Sequence, residues 1–133
     1  MPKKILLIED EDFIRQIYKD QIDSAGFSTD AFATGREGLA AFKTNKYDLV
    51  VLDIILPDFN GLHILKEMKN DTLKKDIPVL ILSNADQEII IKQGLTLGAE
   101  DYLQKVQSTP DMIVDKIKFI IEKNTRNLPS SKD

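Results

Sequence analysis

Asp53, Ser83, Lys105 and the acidic run Glu9-Asp10-Glu11-Asp12 each follow directly on a short stretch of mostly apolar residues. Ile5-Leu6-Leu7-Ile8 leads into the four acids, Leu49-Val50-Val51-Leu52 into Asp53, Val79-Leu80-Ile81-Leu82 into Ser83, and Tyr102-Leu103-Gln104 into Lys105. If these stretches are parallel strands of one sheet, their carboxyl ends share an edge, and open α/β sheets bind ligands there. Carboxylates, a hydroxyl and an ammonium would then converge. That set of groups is suited to handling a phosphoryl group.

Asp53 is the candidate for the reacting group. A carboxylate at a strand end, followed by a tight loop, is held in one orientation and can attack phosphorus to form an aspartyl phosphate. Taken alone, an aspartate there would merely begin a turn. The acidic run distinguishes this one, because four consecutive carboxylates repel one another unless a cation or solvent offsets the charge. Mg²⁺ takes oxygen ligands and is usually held by one or two carboxylates plus phosphate oxygens. Asp10 and Asp53 are the expected carboxylates, with Glu9 reaching the ion directly or through water. Glu11 and Asp12 read instead as favourable charges at the positive end of a helix. Ser83 could donate a hydrogen bond to one phosphoryl oxygen and Lys105 could neutralise another. Each has an ordinary reading too, as a helix cap and a surface charge. Their joint placement at strand ends is what speaks for chemistry.

The rest of the chain supplies the elements that must position these groups. Its 133 residues, 42% hydrophobic, suffice for one domain around one core. A formal charge of −4 argues against broad attraction to nucleic acid or an anionic membrane. Cysteine is absent, which excludes disulfides and thiolate metal sites and fits a reducing, cytoplasmic setting. No stretch approaches the roughly 20 apolar residues of a membrane span.

After the first strand, Phe13, Ile14, Ile17, Tyr18, Ile22 and Ala25 recur at helical spacing, and Gly26 stops the helix. Residues 27–32 form a weak second strand and 35–44 a helix. The third strand, centred on Val50 and Val51, is apolar throughout, as expected when both faces are covered. Pro57-Asp58-Phe59-Asn60-Gly61 is a turn before a helix over 62–70. Pro78 opens the fourth strand, and helices follow over 87–97 and from Pro110 with the stripe Ile113, Ile117, Ile120 and Ile121. Five strands alternating with five helices, joined by right-handed crossovers, predict a three-layer α/β sandwich on a parallel sheet. The domain is expected to span residues 1–124, with 125–133 a disordered tail.

These residues resemble the receiver domain of bacterial two-component response regulators. The strongest passages are Lys4-Ile-Leu-Leu-Ile-Glu-Asp-Glu, Asp48-Leu-Val-Val-Leu-Asp-Ile-Ile-Leu-Pro-Asp-Phe-Asn-Gly61, Pro78-Val-Leu-Ile-Leu-Ser83 and Gly98-Ala-Glu-Asp-Tyr-Leu-Gln-Lys105. Ser83 stands 30 positions after Asp53 and Lys105 22 after Ser83, spacings usual in that family. The resemblance implies a flavodoxin-like sheet of order 2-1-3-4-5, the order for which a receiver is itself a standard example. It implies that Asp53 takes a phosphoryl group from the phosphohistidine of a sensor histidine kinase or phosphotransfer protein. Asp10, Asp53 and the main-chain carbonyl of Ile55 would ligate Mg²⁺, with Glu9 at the side. Ser83 would follow the phosphoryl group and Tyr102 would swing inward as the aromatic half of a switch. Such a domain is a phosphoacceptor that assists its own phosphorylation and dephosphorylation, not a turnover enzyme. Its output would be the face of the fourth helix, fifth strand and fifth helix, meeting a protein target or a second phosphorylated copy. The reading favours a stand-alone receiver over a fragment of a larger regulator.

Two departures from the family pattern stand out. Val106 follows Lys105 where a cis proline is usual; a non-proline cis bond costs about 3–4 kcal/mol, so the loop from Lys105 to Pro110 is expected to take another path. Gly94 inside the fourth helix costs about 1 kcal/mol against alanine and is expected to loosen it. His63 reads as structural, and at least one of Ile89, Ile90 and Ile91 must be exposed. Ile55 and Ala85, two beyond Asp53 and Ser83, cannot orient water through their side chains, so self-dephosphorylation is expected to be slow. A small hydrolase of the haloacid-dehalogenase type is the enzyme rival. It would place an acid two residues after the nucleophile, where this chain has Ile55.

Overall fold

The computed structural model describes residues 2–84 and 88–126. Five strands alternate with five helices: β1 Lys4–Ile8, α1 Asp12–Ser24, β2 Ser28–Phe32, α2 Gly35–Thr44, β3 Leu49–Asp53, α3 Gly61–Lys69, β4 Val79–Ser83, α4 Glu88–Leu97, β5 Asp101–Gln104 and α5 Pro110–Arg126. The strands form one parallel sheet in the order β2-β1-β3-β4-β5. This is the expected flavodoxin-like arrangement.

The period of two along each strand sorts the core into two halves. Leu6, Ile8, Val50, Leu52, Val79 and Ile81 pack with Ala41 and Phe42 of α2 and Ile64, Leu65 and Met68 of α3. Ile5, Leu7, Leu49, Val51, Leu80 and Leu82 pack with Tyr18 and Ile22 of α1 and Ile113, Val114, Ile117 and Ile120 of α5. Every residue of β3 and β4 is buried, because helices cover both sheet faces. Asp53 and Ser83, at the carboxyl ends of β3 and β4, therefore project from the fully buried centre of the sheet.

Element ends differ slightly from the sequence reading. Pro78 lies just before β4, where its carbonyl accepts a hydrogen bond from Val50 N at 3.0 Å. Helix α3 starts at Gly61 because the Asn60 side chain caps it, accepting from Leu62 N. Helix α5 runs through Arg126, two residues past the boundary read at 124, and residues 127–133 of the predicted tail lie outside the described residues. The expected start of α4 at Gln87 also lies outside them. Gly94 has a packing role that its propensity alone did not reveal. A Cβ there would overlap Ile81 Cδ1 of β4, so glycine lets α4 lie close on the sheet. Of the three isoleucines in α4, Ile89 is exposed and Ile91 buried. His63 stacks on Phe59 and sits 4.0 Å from Glu67, a structural placement.

Candidate functional site

The end of β1 turns Glu9 inward. Its backbone N–H donates to Phe32 O of β2 at 3.1 Å, and its side chain is fully buried. Oε2 accepts from Glu11 N at 3.1 Å and Oε1 lies 2.8 Å from Lys105 Nζ. Asp53, the last residue of β3, is 4% exposed. Its Oδ2 accepts from the same Lys105 Nζ at 2.9 Å, and its Oδ1 accepts from Ile55 N at 3.2 Å. Lys105 is thus shared by two buried carboxylates. It stands one residue past β5, opening a 3₁₀ turn over Lys105–Gln107.

Asp10, half-buried, completes the acidic group. One carboxylate oxygen each from Glu9, Asp10 and Asp53 can be chosen so that all lie within 4.8 Å of one another. Three carboxylates face one ammonium, so the site carries surplus negative charge in a poorly solvated place. Burial, first of all, pushes the Asp53 carboxyl up to about 7. The Lys105 hydrogen bond pulls it down, while the charge of Glu9 pushes it further up. Burial would lower the Lys105 ammonium's pKa, but its pairing with the Glu9 and Asp53 carboxylates outweighs this and raises it.

Ser83 ends β4, beside Asp53 at the end of β3, and is 1% exposed. Among the described residues its buried Oγ has no hydrogen-bond partner, an uncommon condition that a ligand oxygen at this edge would relieve. The oxygen-only donor set and the surplus charge fit a hard divalent cation such as Mg²⁺. The structure therefore brings Glu9, Asp10, Asp53, Ser83 and Lys105 to one edge, as the sequence predicted.

A family model, the response regulator receiver domain, matches residues 5–118. The chain belongs to the response regulator receiver family. It is 34% identical over 131 residues to the alkaline phosphatase synthesis transcriptional regulatory protein PhoP of Bacillus subtilis, covering 98% of this chain and 53% of that protein. It is 42% identical over 102 residues to the transcriptional regulatory protein QseB of Escherichia coli O157:H7, covering 77% and 46%. The chain spans about half the length of the curated relatives it matches. Among solved structures, a CheY-like receiver domain protein from Methanospirillum hungatei superposes with a TM-score of 0.88 at 25% identity, over 95% of this chain and 98% of that one. The Francisella response regulator 1452 receiver domain gives 0.82 at 29%, over 92% and 98%.

This receiver keeps its lysine in place without the usual proline. No peptide among the described residues is cis, and after Lys105 the chain turns into the 3₁₀ segment, leaving Val106 exposed. Tyr102, the expected switch aromatic, is partly exposed on β5. Ile55, expected to lend its carbonyl to the metal, has its N–H held by Asp53 and pairs across the loop with Asn60. Ala85 lies outside the described residues.

Sequence reading missed Arg15, whose guanidinium folds back onto the carbonyls of Glu9 and Asp10. A cation three residues after Asp12 was the available signal, but its carbonyl partners are invisible in a sequence. Asp58 was also missed. It accepts from the N–H groups of Gly35 and Arg36 and so ties the loop after β3 to the start of α2.

Proposed function

We propose that Asp53 accepts a phosphoryl group from the phosphohistidine of a sensor histidine kinase or phosphotransfer protein, and that the product changes a protein-binding surface. The observation that carries this reading is the contact of Lys105 Nζ with Asp53 Oδ2 at 2.9 Å, on the same edge as the buried Ser83 Oγ, which has no hydrogen-bond partner among the described residues. An Asp53 carboxylate oxygen attacks phosphorus, the phosphorus–nitrogen bond breaks, and the departing imidazole takes a proton. Mg²⁺, held by Asp10, Asp53, the Ile55 carbonyl and Glu9 (directly or through water), would offset the negative charge on the phosphoryl oxygens. Lys105 neutralises another of these oxygens, so positioning and charge compensation do most of the work. Ser83 Oγ then donates to the bound group, and Tyr102 moves from its partly exposed position toward the space Ser83 vacates.

The output surface is the α4–β5–α5 face, where Leu95, Tyr102, Met112 and Phe119 are exposed. A protein target or a second phosphorylated copy docks there. The formal charge of −4 supports no direct role in nucleic-acid binding. No helix among the described residues is long and apolar enough to cross a membrane. We place the domain in the cytoplasm, where histidine kinases present their phosphoryl groups. Turnover of free phosphoesters is disfavoured because Ile55, two beyond Asp53, offers no general acid.

Intact-mass measurement after incubation with acetyl phosphate tests the reading. Wild type is expected to gain one phosphoryl group only with Mg²⁺ present, and Asp53→Ala none. Equal labelling of both proteins would remove Asp53 from the mechanism.

A further inference from the structure

The loop between β1 and α1 carries four acidic residues, and its helix lacks an ordinary cap: Glu11, at the N-cap position, makes no side-chain capping bond. Arg15 closes the loop instead. Its Nη1 donates to Glu9 O at 3.0 Å and, more weakly, to Asp10 O at 3.4 Å, while Nη2 meets Asp12 Oδ1 at 2.6 Å. The side chain is only 21% exposed. One planar guanidinium therefore engages the peptide planes on both sides of the Asp10 Cα. The backbone at Asp10 has two soft dihedrals, and holding both flanking planes restrains both of them.

We propose that Arg15 is a positioning residue for the metal site: by clamping the Glu9 and Asp10 carbonyls it aims the Asp10 carboxylate at the space shared with Asp53. This inference rests on the metal-dependent phosphoacceptor reading above. It makes a claim opposite in sign to simple electrostatics. A guanidinium beside a cation site repels the cation, so charge alone predicts tighter Mg²⁺ binding once Arg15 is removed. Positioning predicts weaker binding, because Asp10 must then be ordered when the ion arrives. Arginine suits the task because its rigid fork can reach two carbonyls and Asp12 at once, whereas lysine presents a single point of charge.

The test titrates Mg²⁺ into the full chain and follows backbone amide shifts by NMR, for wild type, Arg15→Ala and Arg15→Lys. Melting temperatures in metal-free buffer are recorded alongside. Loss of the clamp is expected to raise the Mg²⁺ Kd about tenfold in Arg15→Ala, as for other groups that orient metal ligands. Arg15→Lys keeps the charge but not the fork, so a several-fold loss is expected there as well. A merely structural role would lower the melting temperatures and leave the Kd unchanged. Binding by folded Arg15→Ala as tight as wild type or tighter overturns the proposal. If Arg15→Ala does not fold, a Kd for Arg15→Lys equal to wild type overturns it alone. Failure of wild type itself to bind Mg²⁺ would bring down the phosphoacceptor reading and this inference together.

Discussion

Asp53 is costly to keep ionised without a metal. Burial, aided by the charge of Glu9, raises its carboxyl to about 7, well above the ordinary carboxylate range. The folded state therefore favours the protonated acid. Its contribution to stability is complete below the unfolded pKa and is lost as pH climbs from about 4 through 7. Asp53→Asn removes that dependence. In metal-free buffer the variant should match wild type near pH 4 and exceed it by about 2–4 kcal/mol at pH 8, read by urea unfolding. Parallel pH curves for the two proteins would show that burial of this carboxylate is not what strains the site. If Asp53 carries a phosphoryl group as proposed, Ile55 bears on how long it stays. Water must attack in line, and Ile55 has no side-chain group to orient it. Ile55→Asn should speed loss of the phosphoryl mass roughly tenfold after donor removal. Decay no faster than wild type would mean that water positioning at this residue does not set the lifetime.

At the scale of elements, the loop between β3 and α3 is what turns a strand end into a site. Gly61 N donates to Ile54 O at 2.8 Å, Ile55 bridges Asn60, and Asp58 caps the start of α2. The loop is thereby closed on itself and tied to a neighbouring helix. Gly61 must be glycine, because a Cβ would run into the backbone of Ile54, which cannot yield as a side-chain tip could. Gly61→Ala is expected to cost about 3 kcal/mol and to slow labelling of Asp53, since the carboxylate is only one residue from Ile54. Denaturant unfolding gives the first number and intact mass the second. A loss below about 1 kcal/mol with normal labelling would mean that the loop shifts to accommodate the methyl group.

At the scale of the whole molecule, the fold sets the candidate site apart from the proposed output face. The carboxylates and Lys105 sit at the sheet's carboxyl edge, and the partly apolar α4–β5–α5 face lies along the side that ends in β5. Ser83 and Tyr102 lie on neighbouring strands, with Ile81 in register with Tyr102 and Ser83 with Gln104, so a shift at one strand end can be felt beside the other. If that face dimerises on phosphorylation, beryllofluoride should raise the sedimentation mass of wild type toward two chains. Phe119→Glu should stay monomeric while still taking up the mimic. A monomer under both conditions would leave a different protein as the partner of this face.

Much of this arrangement is written in local sequence. Strand period, the turn from Pro57 to Gly61 and the helical stripes depend on neighbours in the chain, so the element order and the residues at each strand end could be read directly. The identity of the groups gathered at the edge followed from that order once the strands were parallel. Other features depend on atoms brought together from afar. Lys105 meets Asp53 across 52 positions of sequence and also pairs with Glu9, and no periodicity encodes which oxygens it takes. The clamp of Arg15 on two carbonyls needs the path of a loop, which side-chain patterns do not specify. The close approach of α4 to Ile81 at Gly94 is likewise invisible to helix propensity. Contacts local in the chain were legible because propensity and spacing determine them; partner choice, burial and close approach were decided only when the crossovers stacked helices on both faces of one sheet.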